Sequence, residues 1–127
     1  MLIEIRKAGF ENKGAYLMLL AIMDVLKKKA PAAQICMAPS FDAPYEERAR
    51  LGLLQKAYLW RYNFQFGCFA KLFPKKLRSQ YGIVLDRELS IVLDSAGFAY
   101  SSHWGDEPTV ELAAACRKWK KRNTKII

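Results

Sequence analysis

Apolar positions along this chain follow first one period and then another. Leu2 to Arg6 is a short apolar run of β-compatible residues. After a segment with two glycines, apolar residues recur at 15, 18, 19, 22 and 26, the spacing of one helix face. The pattern predicts a strand over 2–6, a turn over 7–14 and a helix over 15–29. Leu17, Leu20, Ala21 and Val25 make that helix apolar on its other faces too, as for one wedged between a sheet and a neighbouring element. Pro31 ends it, and residues 34–38 read as a second strand. Residues 1–38 therefore predict a βαβ unit, parallel and right-handed.

Residues 39–48 read as a loop leading into a helix, and residues 46–82 as helical in pieces, broken around Gly67 and Pro74. Tyr58, Trp60, Tyr62, Phe64, Phe66, Phe69 and Phe73 fall in this stretch. They could form a base-stacking platform, but packing against the sheet and against further parts of the protein is the favoured reading. Residues 89–94 are nearly all apolar, as expected for a third strand covered on both faces. A loop over 95–106 leads to Asp106 as N-cap and Pro108 in the first turn of a helix reaching about Arg122. Glu107 and Glu111 stand early and five basic residues late, complementing the helix dipole. Asn123 suits a left-handed helix end, and residues 124–127 begin a fourth strand. No internal repeat is expected. The sum is one Rossmann-like α/β domain over 1–127, a parallel sheet flanked by helices, with its last strand at an open edge.

Composition narrows the class. The 127 residues suit one domain. An apolar fraction of 52% excludes a disordered chain. Without a secretory leader or an apolar stretch of ~20 residues, the chain reads as soluble and cytoplasmic with no transmembrane segment. Cys36, Cys68 and Cys116 are odd in number and widely spaced, suggesting neither a disulfide framework nor a metal site. They read as reduced and mostly buried. The net charge of +9 invites nucleic acid or an anionic membrane as partner. Much of the excess, however, lies in Lys27–Lys29 and in residues 117–122, at predicted helix ends, so a solvated helix-end role is favoured and nucleic acid is not.

Ligands of open parallel sheets gather where strands turn into helices at the carboxyl edge. The first such turn, residues 7–14, offers glycines and a helix N-terminus. Its Gly9 to Gly14 spacing imitates a phosphate-binding loop, yet Ala15 and Tyr16 replace the required Lys and Ser or Thr. It is not a nucleotide triphosphate loop. The second turn, residues 94–106, is long, and long loops at this edge carry function. It holds His103, the single histidine of the chain and a candidate proton donor or anion contact.

Two segments carry a resemblance. Residues 3–6 and 9–15, followed by Leu17 to Ala21, resemble the amino-terminal signature of polysaccharide pyruvyl transferase family proteins. Residues 81–84, then 92–100 with Trp104 and Gly105, resemble that family's second signature. Two departures stand out: Tyr16 where an acidic residue is expected, and Ser102 and His103 where an acidic or amide pair is usual. The resemblance implies a GT-B-like fold of two Rossmann-like halves facing a cleft, of which this chain corresponds to most of the first. It implies transfer of pyruvyl from phosphoenolpyruvate to two sugar hydroxyls of a cell-surface polysaccharide or its precursor, without a cofactor. Location would be cytoplasmic, at or near the inner membrane surface. Carried onto this chain, Asn12, Lys13 and Gly14 match the first loop, and Asp94, Gly97, Phe98, Tyr100, Trp104 and Gly105 the second. They would line the acceptor side, with Lys13 contacting phosphate or carboxylate. The chain is expected to be truncated and to show little transferase activity alone. Two other readings stand beside this: a non-catalytic basic module for nucleic acid or an anionic surface, and an interaction subunit whose sheet edge is completed by a second domain or another copy.

Overall fold

The structure, a computed structural model, describes residues 1–61, 64–96, 100 and 105–127. Its centre is β1 (Leu2–Arg6), paired in parallel with β2 (Gln34–Met37) on one side and β7 (Ile91–Asp94) on the other. Side chains on a strand alternate between faces, so β1 serves two cores at once. Ile3 and Ile5 point one way, Leu2 and Glu4 the other, and all four are buried.

The face bearing Ile5 is covered by α1 (Lys13–Lys29), whose Leu19 and Met23 pack on Ile5, Ala8, Met37 and Leu53. This helix begins two residues earlier than its apolar period, because the Asn12 side chain accepts hydrogen bonds from the N–H groups of Gly14 and Ala15 and caps it. Leu17, Met18 and Val25 are 66%, 44% and 49% exposed. The expected wedge between two elements is therefore wrong: one face of α1 meets the sheet and the other meets solvent.

The opposite face is covered by α4 (Glu107–Lys120), through Trp119, Leu112, Ala115 and Cys116 against Leu2, Cys36, Leu89 and Val92. Helix and flanks follow the expected pattern, except that the Asp106 side chain makes no capping bond. Asn123 does adopt the left-handed conformation, with φ 57°. The chain then enters β8 (Lys125–Ile126), which pairs in parallel with β7.

Residues 46–82 depart most from expectation. The helix α2 (Tyr45–Arg50) is followed by β3 (Leu54–Lys56), a small antiparallel hairpin of β4 (Trp60–Arg61) and β5 (Phe64–Gln65), and a 3-10 helix over Phe66–Leu72. The helix α3 (Lys75–Gln80) then leads to β6 (Ile83–Val84). Both β3 and β6 join the main sheet, whose order is β6-β3-β2-β1-β7-β8 with every pairing parallel. Strands of two and three residues are too short to show a period, so a helical reading absorbed them. The aromatic stretch does not enter the core either: Phe64, Phe66, Phe69 and Phe73 are 39–55% exposed.

Contrary to the expectation of no internal repeat, a short repeat is present. Pro44, Arg48 and Gly52 stand 30 residues before Pro74, Arg78 and Gly82, and both sets occupy the same places. Each proline is the N-cap of its helix, and each arginine is buried. The arginine Nε donates to the carbonyl five residues earlier, Ala43 in one unit and Phe73 in the other. Each glycine ends its helix at positive φ, 72° and 63°, and releases the chain into a strand.

Candidate functional site

Strand connections in this sheet run outward in both directions from β1, so the winding reverses between β1 and β7. At such a switch point the loops leaving neighbouring strands diverge and open a crevice beyond the carboxyl ends. A cleft of about 850 Å³ lies beside it, along the ends of β1, β2 and β3 and against α4.

Its floor is a buried charge system on the α4 side of the sheet. Glu4, 1% exposed in mid-strand, accepts from Lys56 Nζ at 2.7 Å, and the same Nζ lies 3.0 Å from Asp86 Oδ1. Asp86 also takes Lys118 at 3.0 Å, Arg122, and the indole N–H of Trp119 at 3.3 Å. Burial would raise the Asp86 carboxyl, but Lys56 and Lys118 outweigh it by charge and hydrogen bond and hold it well below the usual carboxylate range. For Glu4 the balance falls the other way: burial raises its affinity for a proton despite Lys56. Trp119 is flanked by two cations, with the Arg6 guanidinium 5.0 Å and Lys56 Nζ 5.8 Å from its ring.

The rim is set where β1 and β7 end. Lys7 takes a positive φ of 57°, unusual for a side chain of its size, as the chain leaves β1. Arg6 reaches Asp94 at 3.4 Å and Glu111 at 3.7 Å, and Lys7 reaches Glu111 at 3.9 Å. The Ser95 hydroxyl and N–H both donate to the Arg6 carbonyl. Seven basic side chains line the cleft against four carboxylates. Most are paired, but Lys71 and Arg87 are exposed and have no carboxylate within 4 Å among the described residues. The arrangement favours a small anion and leaves two cations to meet it.

The expected site residues divide into three groups. Asp94 and Tyr100 come together behind Arg6 without lining the cleft themselves: the Tyr100 hydroxyl donates to Asp94 Oδ2 at 2.8 Å, and Asp94 pairs with Arg6 of the cleft wall. Burial first, then this hydrogen bond, push the phenol up to about 12. Asn12, Lys13 and Gly14 do not line the cleft: Asn12 is occupied as a helix cap, and all three are exposed on α1. Gly105 stands outside it as well, at φ 72° before α4. Gly97, Phe98, His103 and Trp104 lie outside the described residues.

Other parts of the sequence reading change too. Gly9 serves packing, since a Cβ there would collide with Asp42, whose carbonyl accepts from Phe10 N–H at 2.9 Å. Cys36 is buried, its thiol pushed up by desolvation and by Glu4, but Cys68 is exposed on the cleft wall. Glu4, Lys56, Asp86 and Trp119 were not picked out. One signal was present, a lone carboxylate between Ile3 and Ile5, because a charge in a doubly covered strand needs a buried partner.

The chain matches no protein-family model, no curated protein and no solved structure.

Proposed function

We propose that this chain is the first Rossmann-like half of a polysaccharide pyruvyl transferase-like protein of GT-B-like architecture. Its cleft holds phosphoenolpyruvate, or an anion of the same chemistry, for transfer of pyruvyl to sugar hydroxyls. One observation carries the reading. The two segments that resemble the family signatures include β1 and β7, adjacent strands at the reversal of winding, and a cleft rich in cations lies at the end of β1. A phosphate and a carboxylate on one small frame need two separate cationic contacts, and Arg87 and Lys71 are placed to give them. Asp94, itself tied to Tyr100, braces Arg6 in the cleft wall, and the buried Glu4–Lys56–Asp86 system holds the floor.

Calorimetric titration of the purified chain with phosphoenolpyruvate tests this. Saturable binding in the millimolar range or tighter is expected, with sulfate a weaker competitor because it satisfies one contact of the two. Arg87→Ala should weaken binding about tenfold or more, the loss of one charge-assisted hydrogen bond. Heats no larger than dilution throughout the millimolar range, or equal affinity for sulfate, would refute the reading.

A further inference from the structure

The aromatic segment beside the cleft has a second use. Phe64, Phe66 and Phe69 stack on one another, with ring centroids 5.1, 6.0 and 6.4 Å apart, yet each remains 39–49% exposed. Leu72 and Phe73, next along the chain, are 71% and 55% exposed. Five large apolar side chains within ten residues lie exposed outside both cores, three of them stacked in one aromatic knob, more than the scattered exposure of an ordinary surface.

The charges around the knob are of one sign. Between Glu47 and Asp86 the chain has no Asp or Glu. Lys71, Lys75 and Lys76, in the same segment of chain, are exposed and have no carboxylate within 4 Å among the described residues. Lysine is depleted from the centres of protein–protein interfaces. Aromatic tips with flanking lysines are instead what an anionic bilayer surface selects, the rings entering the headgroup boundary and the ammonium groups meeting lipid phosphates. No described helix is long and apolar enough to cross a membrane, so such contact would be peripheral.

We infer that the Phe64–Lys76 face docks on an anionic lipid bilayer surface. Gln65, Gly67, Cys68 and Lys71 belong to this segment and also wall the cleft, so docking turns the cleft toward the headgroups. Docking is independent of which ligand the cleft takes.

Co-sedimentation with vesicles provides the test. The purified chain should bind phosphatidylcholine vesicles containing phosphatidylglycerol and be released by salt, and it should bind phosphatidylcholine alone far more weakly. Replacing Lys71, Lys75 and Lys76 together by glutamine should reduce partitioning by about 100-fold. Phe69→Ser should reduce it about tenfold. Both sets of positions are exposed, so the thermal midpoints should match the parent and report that the fold is intact. Failure to sediment with either vesicle, or binding that neither variant changes, would overturn the proposal. A dimer in light scattering that Phe69→Ser dissociates, without vesicle binding, would overturn it in favour of a second copy of the chain.

Discussion

Residues 44–56 and 74–86 share one construction, a proline at the helix start, a buried arginine one turn later, a left-handed glycine and a short parallel strand. Their neighbours differ. The first strand, β3, lies inside the sheet between β2 and β6, and Arg48 finds backbone carbonyls there, Ala43 at 2.9 Å and Met37 at 3.2 Å. The second, β6, is an edge strand, and Arg78 adds to longer bonds with the Phe73 and Ile83 carbonyls, 3.4 and 3.5 Å, a two-pronged contact with Glu88, both bonds 2.8 Å. The charges respond in opposite directions. Burial makes the Arg48 guanidinium easier to deprotonate, whereas the hydrogen bonds that Arg78 donates to Glu88 hold its proton more firmly. The same local sequence thus starts and stops both helices, while the place in the sheet decides how the buried charge is compensated. The units meet through Lys56 and Asp86, which each follow their proline by twelve residues and pair at the cleft floor.

Substitutions can break this comparison at graded cost. Arg48→Met should cost the most, about 3–5 kcal/mol, because two charge-assisted bonds vanish and two interior carbonyls lose a donor. A lowered denaturant midpoint at unchanged slope would show it. Arg78→Met should cost less, about 1–2 kcal/mol, since Glu88 is 26% exposed and water can replace part of the bond.

The pH dependence sharpens the distinction. Arg78, by hydrogen bond first, lowers Glu88 from its usual 4.5 despite some burial. A carboxylate lowered on folding stabilises the fold above its unfolded value, and that contribution is lost as pH falls through the folded one. Stability of the parent should therefore decline on acidification below about pH 4.5, with Asp86 adding to the loss at lower pH. Arg78→Met should flatten the Glu88 part of that decline, and Arg48→Met should leave it in place. Denaturant midpoints across an acid series that fall in parallel for both variants would mean the two arginines are not differently compensated. The smallest effects belong to the glycines. Gly52→Ala and Gly82→Ala should each cost about 1 kcal/mol, and equally, because both sit at positive φ and neither Cβ would meet anything closer than 3.4 Å.

Much of the frame was legible because its signals are local and long. The apolar run of β1, the helical period behind Asn12, and the dipole-matched charges of α4 each extend far enough to outweigh chance. The cleft floor was not legible: its residues come from four separate elements of the chain and share no spacing.

Alone, the sequence determined where β1, α1, β2, β7 and α4 lie to within a few residues, since caps, prolines, glycines and periodicity act locally. It also determined that Glu4 would need company in its strand. Tertiary structure decided which company. Short strands such as β3 and β6 acquire their identity from the neighbours that accept their hydrogen bonds, and Lys56 meets Glu4 across 52 residues of chain because parallel pairing sets β3 beside β2 and β2 beside β1. It decided, too, that the aromatic segment stays at the surface, because the sheet is already covered by α1 and α4.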